Sequence, residues 1–111
     1  MTEDERCRVY RRVMAAEEAC RAGDLAAFRA ALGEPEGFPD CMLDLDFLGS
    51  GDRPLDLAIR LGPLAFVGQL LDLGADPRAP APDGFPPLFA AIDAPRADRH
   101  DILRLLLERG A

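Results

Sequence analysis

The chain predicts an all-α solenoid of stacked helix-loop-helix repeats with projecting finger loops, and three observations carry that prediction. Gly51-Asp52-Arg53-Pro54-Leu55-Asp56-Leu57-Ala58-Ile59 returns 33 residues later as Gly84-Phe85-Pro86-Pro87-Leu88-Phe89-Ala90-Ala91-Ile92. Both copies then run into a similar ending, Leu70-Leu71-Asp72-Leu73-Gly74-Ala75 and Leu106-Leu107-Glu108-Arg109-Gly110-Ala111. Between these landmarks apolar residues recur every three or four positions, the spacing that lines one face of a helix. A fixed period in this range is the signature of stacked supersecondary units, none of which can bury its apolar face alone.

Each element follows in order. Thr2 and Glu5 form a capping box, so a helix is expected to start near residue 3. Val9, Tyr10, Val13, Met14, Ala16, Ala19 and Cys20 give it one apolar stripe, and Gly23 stops it. Asp24 caps the next helix, which carries Leu25, Phe28, Ala31 and Leu32. From Gly33 to Pro54 the helical pattern disappears under Pro35, Gly37, Pro39, Gly49 and Gly51, so this segment is a loop. Within it Met42-Leu43-Asp44-Leu45-Asp46-Phe47 partly alternates apolar and acidic residues, which suits a short extended stretch.

Pro54 opens a short helix with Leu55, Ala58, Ile59 and Leu61, ending at Gly62. Pro63 starts its partner, with Phe66, Val67, Leu70 and Leu71, which stops at Gly74. Residues 75–84 are rich in proline and turn formers and make a tight reversal. Pro86 and Pro87 open another helix, and after Pro95 a last one runs from about Asp98 to Gly110. The organisation is therefore one domain in three parts: residues 1–48 as an amino-terminal capping repeat with a long acidic loop, 49–80 as a second repeat, and 81–111 as a third.

Bulk properties narrow the function. At 111 residues with a net charge of -7, the chain lacks the cationic face that phosphate contacts require, which argues against nucleic acid as a partner. No apolar run approaches the roughly 18–20 residues that span a bilayer, and the first residues lack the build of a signal peptide, so a cytoplasmic location is expected. Cys7, Cys20 and Cys41 form no close pair and are read as reduced thiols, with Cys20 as core packing. All 13 basic residues are arginine.

Catalytic and metal signals are weak. His100, between Asp98 and Asp101, is the single histidine and reads as part of a solvated helix start rather than a general base. Asp40, Asp44 and Asp46 lack the glycine and terminal glutamate of a calcium loop, and no Cys/His spacing suits zinc. Gly49-Ser50-Gly51 lacks the lysine of a phosphate loop. No cofactor is expected, and the chain reads as a non-enzyme.

Charge placement says more. Residues 34–56 hold Glu34, Glu36, Asp40, Asp44, Asp46, Asp52 and Asp56 against Arg53 alone, a balance of -6 out of the total -7. This concentration either attracts a basic protein surface or keeps an inserted loop soluble.

The landmarks Arg53-Pro54-Leu55-Asp56, Ala58-Ile59, Gly62, Leu70-Leu71 and Gly74-Ala75-Asp76, then Pro86-Pro87-Leu88-Phe89, Ala91-Ile92, Leu106-Leu107 and Gly110-Ala111, resemble the ankyrin repeat over residues 49–111. Ala19-Cys20-Arg21-Ala22-Gly23-Asp24 looks like a degenerate first copy. The family's threonine and histidine are replaced by Arg53 and Asp56, and by Pro86 and Phe89, so its usual local hydrogen-bond network must differ here. Ala19 to Ala58 spans 39 residues, an insertion in the first loop; Gly74 to Gly110 spans 36, an insertion near Pro95-Arg96-Ala97.

The resemblance implies a protein-binding module that engages its partner through finger loops and a concave groove. Groove positions would be Gly49, Ser50, Asp52, Arg60 and Leu61, then Pro82, Asp83, Phe85, Asp93 and Ala94. The residues expected to bind are Asp44, Asp46, Asp52, Arg60, Leu61, Asp83, Phe85 and Asp93, and one concrete form is an acidic inhibitor or immunity-type protein covering a basic site. Phe85 is either an interface anchor or packs on Phe47 or Leu61. At the far end, either Arg99, Arg104, Glu108 and Arg109 cap the last repeat, or that end packs against another molecule, including a second copy in a structural or assembly role.

Overall fold

The computed structural model describes residues 2–41, 53–80 and 84–111 of the chain. These form six α-helices and no strand: α1 Glu3–Ala22, α2 Leu25–Ala31, α3 Pro54–Leu61, α4 Leu64–Asp72, α5 Pro87–Asp93 and α6 Arg99–Glu108. The extended stretch expected at residues 42–47 lies outside the described residues.

The helix starts obey local chemistry. The Thr2–Glu5 box is present, with Glu5 N donating to Thr2 Oγ1 at 3.2 Å and Thr2 N to Glu5 Oε2 at 3.3 Å. Asp24 Oδ1 accepts from Ala27 N at 3.1 Å and starts α2. Prolines open the later pairs: Pro54 and Pro87 hold the first turns of α3 and α5, where no intrahelical partner for an amide exists. Gly23 ends α1 with φ of 70°, the left-handed conformation that glycine adopts most easily.

The helices pack as three pairs of chain neighbours, with further contacts between pairs. α1 packs on α2, α3 on α4, and α5 on α6; α3 further packs on both α1 and α5, and α4 on α6. One row of first helices thus runs α1, α3, α5, with the second helices behind it. Between the rows sits one core, built from Ala16, Cys20, Phe28, Leu57, Ala58, Ile59, Phe66, Val67, Leu70, Ala91, Ile102 and Leu106. Phe28 is its aromatic hub, edge-on to Phe66 at 5.3 Å and to Phe38 at 6.2 Å between ring centroids.

Two expectations need correction. The apolar stripe of α1 is buried only over its carboxy-terminal half, at Ala16, Ala19 and Cys20, while Tyr10 and Met14 are exposed. At 20 residues α1 is more than twice as long as α2 or α3, so its amino-terminal turns extend past the elements that would cover them. Ala94, expected to face a groove, is buried at 2 % exposure at the carboxy-terminal cap of α5, where its carbonyl accepts from Arg96 N at 2.9 Å.

Candidate functional site

The expected binding residues divide into two groups. Asp44, Asp46, Asp52 and Asp83, with Gly49, Ser50 and Pro82, lie outside the described residues. Arg60, Leu61, Phe85 and Asp93 are described: Leu61 is half-buried at the end of α3, and the others are exposed. Phe85 is described, whereas Phe47, one of its two expected packing partners, lies outside the described residues. The Phe85 ring lies 4.9 Å from that of Phe89, tilted by 40°, one helical turn along, and leaves half of Phe85 in solvent.

The residues that flank the two segments outside the described residues are held together by one side chain. Arg53 Nε donates to the Pro80 carbonyl at 3.1 Å, and its Nη1 stands 3.5 Å from Asp40 Oδ1. Asp40 stands just before segment 42–52, Arg53 directly after it, and Pro80 directly before segment 81–83. A planar guanidinium reaches both neighbours at once, which a lysine ammonium at the end of a flexible stem would not do with the same geometry. Asp76 Oδ1 accepts from Arg78 N at 2.9 Å and tightens the start of the second loop.

Arginines make other ties between pairs. Arg96 donates to the Ile59 carbonyl at 2.9 Å at the end of α3 and grips Asp98 with both arms of its fork. That bidentate bond holds the Asp98 carboxyl below the usual aspartate range, while its partial burial works weakly the other way. Arg78 donates to the Gly110 carbonyl, and Arg109 pairs with Asp72 at 2.6 Å. The all-arginine composition therefore has a structural use here: guanidinium forks satisfy helix-end carbonyls across the stack. Sequence reasoning missed these ties because donor and acceptor are far apart in the chain.

Chemistry-bearing groups are dispersed. His100 is exposed at the start of α6. Cys20 is fully buried, and burial pushes its thiol up to about 12. Burial also raises the Cys41 thiol, helped by the charge of Asp40. Cys7 is exposed on α1. A depression of roughly 360 Å³ along α1, lined by Glu3, Arg6, Cys7, Tyr10 and Arg11, has walls from a single helix. Among the described residues no group of three His, Cys, Asp or Glu side chains could hold a metal ion, and no helix is long and apolar enough to cross a membrane.

No protein-family model matches the chain, and no curated protein is significantly similar to it.

Proposed function

We propose that the chain is an ankyrin-like stack of three helix pairs acting as a non-catalytic protein-binding module, with its two long loops as the binding edge. The observation that carries this reading is the Arg53 clamp. By joining Asp40 to Pro80, it holds together the residues that flank segments 42–52 and 81–83. Almost all the net negative charge of the chain falls in and beside the first of these segments. Such an edge favours a basic protein surface and speeds encounter with it at low salt. Phe85, half-exposed just before α5, supplies an aromatic anchor. An inhibitor or immunity-type protein that masks a basic site is the concrete form, and the module would work inside the cytoplasm.

The test begins with capture of the partner from the native host and its identification by mass spectrometry. Charge reversal at Asp44, Asp46 and Asp52 together is expected to weaken that complex at least tenfold and to flatten its dependence on salt. Unchanged affinity removes the acidic edge as the binding element.

A further inference from the structure

The first helix carries two apolar stripes, and the fold buries only one. Ala16, Ala19 and Cys20 face the core. Cys7, Tyr10 and Met14 follow one another at steps of three and four residues, so on a helix they line up along the opposite side of α1. All three are exposed, Tyr10 by 65 % and Met14 by 44 %. The depression bordered by Glu3, Arg6, Cys7, Tyr10 and Arg11 runs along this second stripe.

Its borders are basic. In a heptad reading that gives Cys7, Tyr10 and Met14 the a, d and a seam positions, Arg6 falls at g and Arg11 at e, where charge chooses the partner helix. Both are exposed. Arg21, Arg29, Arg53, Arg96 and Arg109 each meet a carboxylate of the chain, whereas among the described residues Arg6 and Arg11 meet none. Glu3, at the preceding d position, and Glu17, at the following one, close the strip at its two ends.

We infer that this face of α1 docks an amphipathic helix of another protein, one whose apolar seam is flanked by acidic residues. Charge selects that occupant over the others. A second copy is disfavoured, because parallel pairing would set Arg6 against Arg11 of the other copy, and antiparallel pairing would set each arginine against its own counterpart. A membrane or a nucleic acid offers a continuous negative field, which repels Glu3 and Glu17 from the same strip that attracts the arginines. A helix places its charges residue by residue, with acids opposite Arg6 and Arg11 and none opposite the two glutamates. Tyr10, in the middle of the strip, is the anchor. From Cys7 to Met14 the strip is about 10 Å long, so the complex is weak and forms in the micromolar range or above. This surface is separate from the acidic edge, and the inference stands without it.

Fluorescence anisotropy under reducing conditions tests it, with a labelled three-heptad peptide carrying leucine at a and d and glutamate at e and g. The 111-residue chain is expected to bind this peptide, less tightly as salt rises, and not to bind the same peptide with lysine at e and g. Tyr10→Ala should weaken binding about tenfold. Arg6→Glu with Arg11→Glu should abolish it and transfer the preference to the lysine peptide. Circular dichroism should be unchanged in both variants, because all three positions are exposed. A chain that ignores the glutamate peptide up to about 1 mM overturns the inference, as does equal binding of the two peptides or binding indifferent to these substitutions. So does binding of phosphatidylglycerol vesicles or of a single-stranded oligonucleotide that the same substitutions abolish, or self-association that Tyr10→Ala abolishes.

Discussion

Gly62 shows how a single residue can be placed for the wrong reason. The sequence marks it as a helix stop, and glycines there usually adopt left-handed backbone. Its φ is -86°, which any residue can hold. What requires glycine is space: an added Cβ would sit 2.9 Å from the Phe66 ring, 3.1 Å from the Ala58 carbonyl and 3.3 Å from the Cys20 carbonyl. Two of those neighbours are backbone and cannot swing aside. Gly62→Ala is therefore expected to cost about 1–3 kcal/mol, the usual range for overpacking, measured by urea denaturation. A variant as stable as the wild type would show that α1 and α3 separate easily.

Cys20, at the same junction, links burial to pH. Its thiol is pushed up to about 12 in the folded chain, from 9.0 when exposed, chiefly by loss of water. Folding therefore holds a proton that the unfolded chain releases above about pH 9, and stability falls as pH rises through that window. Below it the group contributes no pH dependence. In alkylation with iodoacetamide at pH 8, Cys7 should react at the rate of a free thiol, while Cys20 should react only as fast as the chain opens. Equal rates at the two positions would refute the burial of Cys20.

At the scale of elements, the two side-chain caps differ in what they support. Asp24 starts α2, whose Phe28 is at the centre of the core, so losing the cap loosens a packed helix. Thr2 starts the part of α1 whose residues 2–8 are all exposed. Asp24→Ala is expected to destabilise the fold by about 1 kcal/mol, and Thr2→Ala to leave it nearly unchanged while the first turns of α1 fray. Thermal unfolding of the two variants, with amide exchange across α1, distinguishes them. Equal losses would mean that the amino-terminal half of α1 is packed after all.

The helices themselves were almost entirely legible. Start signals at Thr2, Asp24, Pro54 and Pro87 and stops at Gly23, Gly62 and Gly74 all act within about four residues, and a linear chain displays such signals directly. The candidate site was less so. Arg53 could be seen standing where a threonine was expected, but its acceptor at Pro80 is 27 residues away; the acceptor of Arg96 at Ile59 is 37 away. Nothing in the local pattern around either arginine names such a partner.

Over the whole molecule, the period of 33 and its two interruptions establish three helix pairs, one core and the segment in which negative charge gathers. These follow from sequence because they depend on the order of residue types along the chain. Which faces the pairs cover was settled only in three dimensions. Ile59 and Ile92 occupy equivalent positions with the same side chain, yet one has 0 % of its surface in water and the other 51 %. Periodicity assigns both to an apolar stripe. Hydrophobic burial, however, is a property of the neighbour that removes the water, and among the described residues Ile59 has such a neighbour where Ile92 does not.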